Sequence, residues 1–125
     1  MKYLVMIHSN ARFQERWEAL TEAEREEFGP AHFRLSDALA ASGELVASEG
    51  LADPALGTRV TRRDGRTTTG DGPFAEVKEH LAGFLLVDVA DEARAIEIAG
   101  QVPDAQWGLV EVRPVLDMSG WDLDG

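Results

Sequence analysis

Two stretches of this chain are apolar on both faces, and this narrows the choice of fold more than any other feature. In KYLVMIH at 2–8, Tyr3, Val5 and Ile7 alternate with Leu4 and Met6; in GFLLVDV at 83–89, Phe84 and Leu86 alternate with Leu85, Val87 and Val89. Short runs rich in β-formers, the first closed by Ser9 and Asn10, read as strands. A strand apolar on both sides must be covered on both sides. With 125 residues the chain fits one domain, read here as residues 1–116 with a tail at 117–125 that lacks periodicity.

The helices are legible from their ends. TEAE at 21–24 has the form of a capping box, so a helix starts there. Gly29 and Pro30 are expected to interrupt it, with Pro30 opening a new helix that runs to about Ser42 and stops at Gly43. Residues 11–20 read as a loop or short helix. A strand is expected at 44–51, and Asp64 and Gly65 between Arg63 and Arg66 predict a hairpin. Asp91 caps a helix to about Val102, Pro103 ends it, and GLVEVRPV at 108–115 is the last strand. The order predicts an α+β fold, a ferredoxin-like βαββαβ sheet with an inserted hairpin and helices on one face. Two helices cover only one face, so the other is expected to pack on a second copy as a homodimer, a dimeric α+β barrel with a pocket inside.

Composition removes several kinds of chemistry. Without any Cys there is no disulfide, thiolate nucleophile or thiolate metal site, a composition that fits a reducing cytoplasm. Three scattered His give no paired metal-ligand spacing, so neither metal nor cofactor is expected. The formal charge of −11 repels phosphate backbones and anionic lipid, arguing against nucleic-acid or membrane partners. MKYLVMIH is too short and too polar for a signal peptide, and no run is long enough to span a bilayer. The reading is a cytoplasmic protein. Arg59, Arg62, Arg63 and Arg66 concentrate basic charge in the hairpin, which fits a solvated ribbon, an interface with the acidic segment of another chain, or an anion port.

The turn DGPFAEVKE at 71–79, with MKYLVMIH at the start, SEGLADP at 48–54, FLLVDV, AIEIA and VEVRPV, resembles the YCII-related family, and within it the DGPF branch. The usual branch pattern has Thr where Val77 stands here. The resemblance covers nearly the whole chain and implies a dimeric α+β barrel but no settled reaction. Some relatives sit beside sigma factor genes, and some act as lyases or dehydrochlorinases on small aromatic acids. PAHF at 30–33 is similar to a helical segment of the wider family whose His, paired with an Asp, has been proposed as an active-site residue.

His32 therefore has two readings. It is a general acid or base, since imidazole titrates near neutrality, or a core residue on the stripe with Leu35 and Leu39. The sequence names no Asp partner for it. His8, at a strand end, is a second candidate beside a pocket mouth. In the turn, Gly72, Pro73 and Phe74 read as structure, whereas Asp71 and Glu76 offer carboxylate bases and Lys78 a hold on a substrate anion, or all three are surface charges. Glu49 and Arg113 are charges on faces where apolar residues are expected. Either they are paired, Glu49 or Glu111 with Arg113, or Arg113 anchors a ligand carboxylate. Trp17, Trp107 and Trp121 are anchors or a stacking surface.

Three functions follow as expectations. The first is a cofactor-independent enzyme for elimination or isomerisation of a small anionic, aromatic substrate, with His32, Asp71 and Arg113 as base, second carboxylate and anchor, and His8, Glu49, Phe74, Glu76 and Lys78 around the substrate. The second is a noncatalytic ligand-sensing or regulatory partner. The third is a structural dimer with no pocket.

Overall fold

The computed structural model describes residues 1–72 and 78–119. Strand β1 spans Lys2–Asn10, followed by helices α1 at Phe13–Ala19 and α2 at Glu22–Ser42. Strands β2 at Leu45–Gly50, β3 at Thr58–Arg63, β4 at Arg66–Asp71 and β5 at Glu79–Asp88 come next, then α3 at Glu92–Gly100 and β6 at Val110–Pro114. The four-stranded sheet has the order β2-β5-β1-β6, with β1 antiparallel to β5 and β6 and β2 antiparallel to β5. This α+β arrangement is compatible with a ferredoxin-like sheet.

The local signals act as their chemistry requires. The Thr21 hydroxyl accepts from the Glu24 amide while the Glu24 carboxylate accepts from the Thr21 amide, closing the capping box. Gly43 ends α2 at φ 81°, a left-handed conformation that suits glycine. Asp64 and Gly65 both take positive φ, 53° and 76°, as a two-residue hairpin turn matching strand twist demands. The hairpin β3–β4 forms a separate two-stranded sheet, exposed throughout.

One expectation is corrected. Gly29 and Pro30 do not interrupt the helix; α2 runs through them as a single element of 21 residues. Proline there removes one backbone hydrogen bond, but helix residues on both sides of it are anchored, Phe28 in an aromatic cluster and Leu35 and Leu39 in the core. Packing outweighs the local penalty.

Tyr3 and Val5, with Leu85, Val87 and Val89, meet Leu35 and Leu39 of α2 and Ala95, Ile98 and Ala99 of α3 in one core. Ile98, Val5 and Val87 are fully buried. Glu44, just before β2, accepts from Arg94 Nε at 2.9 Å and Nη2 at 2.8 Å, a bidentate tie from the end of α2 to α3. This pairing holds the Glu44 carboxyl down at about 2.

The opposite face of the sheet carries two cross-strand rows. Glu49, Phe84, Met6 and Glu111 form one, and Ala47, Leu86, Leu4 and Arg113 the other. A bulge at Val46 in β2 creates this arrangement, since Leu45 pairs with Val87 on the core side while Ala47 already pairs with Leu86 on the other. Strict alternation would put Leu45, Ala47 and Glu49 on one face; the bulge separates Leu45 from the other two.

Candidate functional site

The sheet and α2 leave a cleft of about 340 Å³ over the β2–β5 ladder. Its floor is bare because Gly50 lies opposite Gly83, so neither strand sends a side chain into the space. Gly83 must remain glycine, since a Cβ there would lie 2.9 Å from the Glu49 carbonyl oxygen; Gly50 has open space. Ile7, Phe33, Leu35 and Leu85 contribute apolar wall and Ser36, Ser48, His32 and Asp104 the polar groups, while Glu49 and Phe84 border the cleft from strand positions whose side chains lie on the other face.

The dominant contact is between His32 and Asp104. His32 Nε2 lies 2.8 Å from Asp104 Oδ1, with the imidazole 30% exposed and the aspartate side chain 7%. The contact is short but bent away from hydrogen-bond alignment, and Oδ1 is a buried oxygen with no hydrogen-bond partner. A lone pair on Nε2 facing this carboxylate would be repelled, so the ring proton belongs on Nε2. Nδ1 is left as the acceptor of the neutral ring.

The residues that bring this pair together are separated by most of the chain. Pro103 opens a 3₁₀ turn at Pro103–Trp107, closed by Gly108 at φ 69°. Trp107 stacks on Phe28 at 5.7 Å and meets Phe13 edge-on at 5.4 Å, and Phe28 meets the His32 ring at 5.1 Å. Arg16 Nη1 donates to the Trp107 carbonyl at 3.1 Å. Since Phe28 is one helical turn before His32 and Trp107 one short turn after Asp104, this aromatic latch fixes the two polar groups against each other.

The other expected site residues fall in separate places. His8 Nε2 lies 3.2 Å from Glu111 Oε1, and Arg113 Nη2 donates to Glu111 Oε2 at 2.7 Å, a charged group on the sheet face away from the helices. Arg113 holds the Glu111 carboxyl below its ordinary range, helped by His8. Of the two pairings expected for Arg113, the one with Glu111 is formed, and Arg113 does not line the cleft. Asp71 ends β4 on the exposed hairpin and Lys78 is an exposed residue just before β5; neither lines the cleft. Phe74 and Glu76 lie outside the described residues, as does Trp121. Trp17 stacks with Phe13 at 6.4 Å and meets Phe28 edge-on at 5.4 Å, so it and Trp107 serve as anchors. Asp104, the partner of His32, was not singled out in the sequence; Pro103 beside it read only as a helix stop.

Residues 1–119 match the YCII-related domain. The chain belongs to the YCII-related family. A 53-residue stretch of it is 45% identical to an uncharacterized protein of Rhizobium meliloti (strain 1021), an alignment covering 41% of this chain and 43% of that protein. The YCII-related chain thus spans less than half the length of that relative. Among its described residues no group of three His, Asp or Glu side chains could hold a metal ion, and no helix is long and apolar enough to cross a membrane.

Proposed function

We propose that this chain binds a small molecule in the His32 cleft and performs cofactor-independent proton transfer on it, an elimination or isomerisation, as a homodimer. The observation that carries the reading is His32 Nε2 set 2.8 Å from a buried aspartate oxygen at the wall of an open cleft. Asp104 orients the ring and compensates its charge when Nδ1 takes a proton; Nδ1 is the atom that exchanges a proton with the ligand. The cleft volume suits a small molecule. Assembly rests on the other face, where Leu4, Met6, Phe84 and Leu86 lie together with Ala47 while α2 and α3 pack on the core side.

Native mass spectrometry of gently purified protein tests both parts. Two chains with an added mass are expected. In Gly50→Leu, whose side chain enters open space above the floor, the added mass is lost while the dimer persists. A ligand retained by Gly50→Leu would place binding elsewhere, and a single chain at micromolar concentration would defeat the dimer.

A further inference from the structure

The charge of the cleft points to a ligand class different from the one the sequence suggests. All 12 Lys and Arg of the chain fall within the described residues, and none of them lines the cleft. Its ionisable side chains are Asp104 and His32; Glu49 borders it from a strand position whose side chain lies on the other face of the sheet. One buried carboxylate against one imidazole leaves the wall with a net charge of about −1 when His32 is neutral and about zero when it is protonated, never positive. A carboxylate or phosphate entering beside the neutral ring meets like charge, and in either state no Arg or Lys of the chain lines the space to pair with it. Hydrogen bonding leads to the same conclusion. The neutral ring, with its proton on Nε2, presents Nδ1 as an acceptor, and Asp104 Oδ1 is a second acceptor without an aligned donor. A site built of acceptors recognises a donor. The apolar walls of Ile7, Phe33, Leu35 and Leu85 suit a hydrocarbon or aromatic body.

We propose that the cleft takes an amine-bearing small molecule with an apolar body and selects against anions. This rests on the His32 cleft being the binding site. The test titrates isotope-labelled full-length protein, near neutral pH, with benzylamine, benzyl alcohol and benzoate, three probes of similar size and opposite or no charge. NMR signals of the Gly50 and Gly83 amides and of the His32 ring locate binding. Benzylamine is expected to bind about tenfold more tightly than benzoate, with benzyl alcohol between them. Asp104→Asn is expected to reduce the preference for amine over alcohol several-fold, while the alcohol still shifts Gly50. Benzoate binding at these signals as tightly as the alcohol or the amine would overturn the charge assignment and leave the cleft as the site. Failure of every probe to move Gly50, Gly83 or His32 would overturn the site and the ligand class together. An amine preference unchanged in Asp104→Asn would also refute the assignment to this wall.

Discussion

The His32–Asp104 pair makes a prediction in which one substitution changes sign with its background. Asp104 is 5% exposed and the His32 ring is its only charged neighbour at ion-pair distance among the described residues. His32→Leu keeps comparable bulk but leaves a carboxylate buried without a counter-charge. Breaking a fully buried pair in this way costs about 3–5 kcal/mol; because the imidazole is 30% exposed and water can enter where it leaves, about 2 kcal/mol is the expected loss here. In the wild type, Asp104→Asn removes the attraction to His32 and destabilises by about 1 kcal/mol. In the His32→Leu background the same change removes an uncompensated charge, so it should stabilise by about 1 kcal/mol. The coupling across the cycle is then about 2 kcal/mol, well above the few tenths expected of independent sites. Urea unfolding of the four proteins, followed by far-ultraviolet circular dichroism, measures it. If Asp104→Asn destabilises equally in both backgrounds, the 2.8 Å contact carries no interaction and the acid/base reading loses its basis.

Helix α3 offers a control on the packing, because Ile98 is fully buried whereas Ile96, two positions earlier, is 56% exposed. Ile98→Ala should cost about 2–5 kcal/mol and Ile96→Ala less than about 0.5 kcal/mol in urea unfolding; comparable losses would mean that the helix faces the core differently. The Glu44–Arg94 pair sets an acid response. Arg94, with help from Ser42, lowers the Glu44 carboxyl from 4.5 to about 2, so its stabilisation is fully present above pH 4.5 and is lost as pH falls toward about 2. Glu44→Gln should therefore be less stable than wild type by a constant amount above that window, with the gap closing inside it. A gap that does not narrow between pH 4.5 and about 2 would exclude the linkage.

What the sequence disclosed and what it withheld divide along physical lines. Thr21 with Glu24, Gly43, and Asp64 with Gly65 act through neighbouring backbone, so their meaning is complete within a few residues. Pro30 misled because its local penalty is outweighed by anchoring around Phe28 and Leu35, which only the folded packing reveals. The cleft was half legible. His32 stood out as an imidazole on an apolar stripe, but its partner lies 72 positions later and is delivered by a turn whose one strong signal, Pro103, also reads as punctuation. Of the aromatic residues that perform the delivery, Trp107 was read as an anchor or a stacking surface without a visible destination, and Phe28 carried no signal of its own. Glu49 and Arg113 were correctly marked as charges on an apolar face, yet the Val46 bulge, which strand alternation cannot register, determines which of their neighbours share it.

That bulge makes the consequence of a change of length in β2 depend on where it falls. Most substitutions along Ala47–Gly50 alter one side of the sheet at a time. Loss of Val46 itself would leave a regular ladder with every pair kept, whereas loss of one residue at Ser48, with the bulge retained, would move Glu49 and Gly50 by one position and exchange their sides. In that second case Glu49 would turn toward the cleft while Gly50 turned to the opposite face, filling the space under His32 and changing the assembly surface in one event. Within this family, deletions just after the bulge would be expected to mark branches that differ in both ligand and oligomer, where deletion of the bulge residue itself would leave both unchanged.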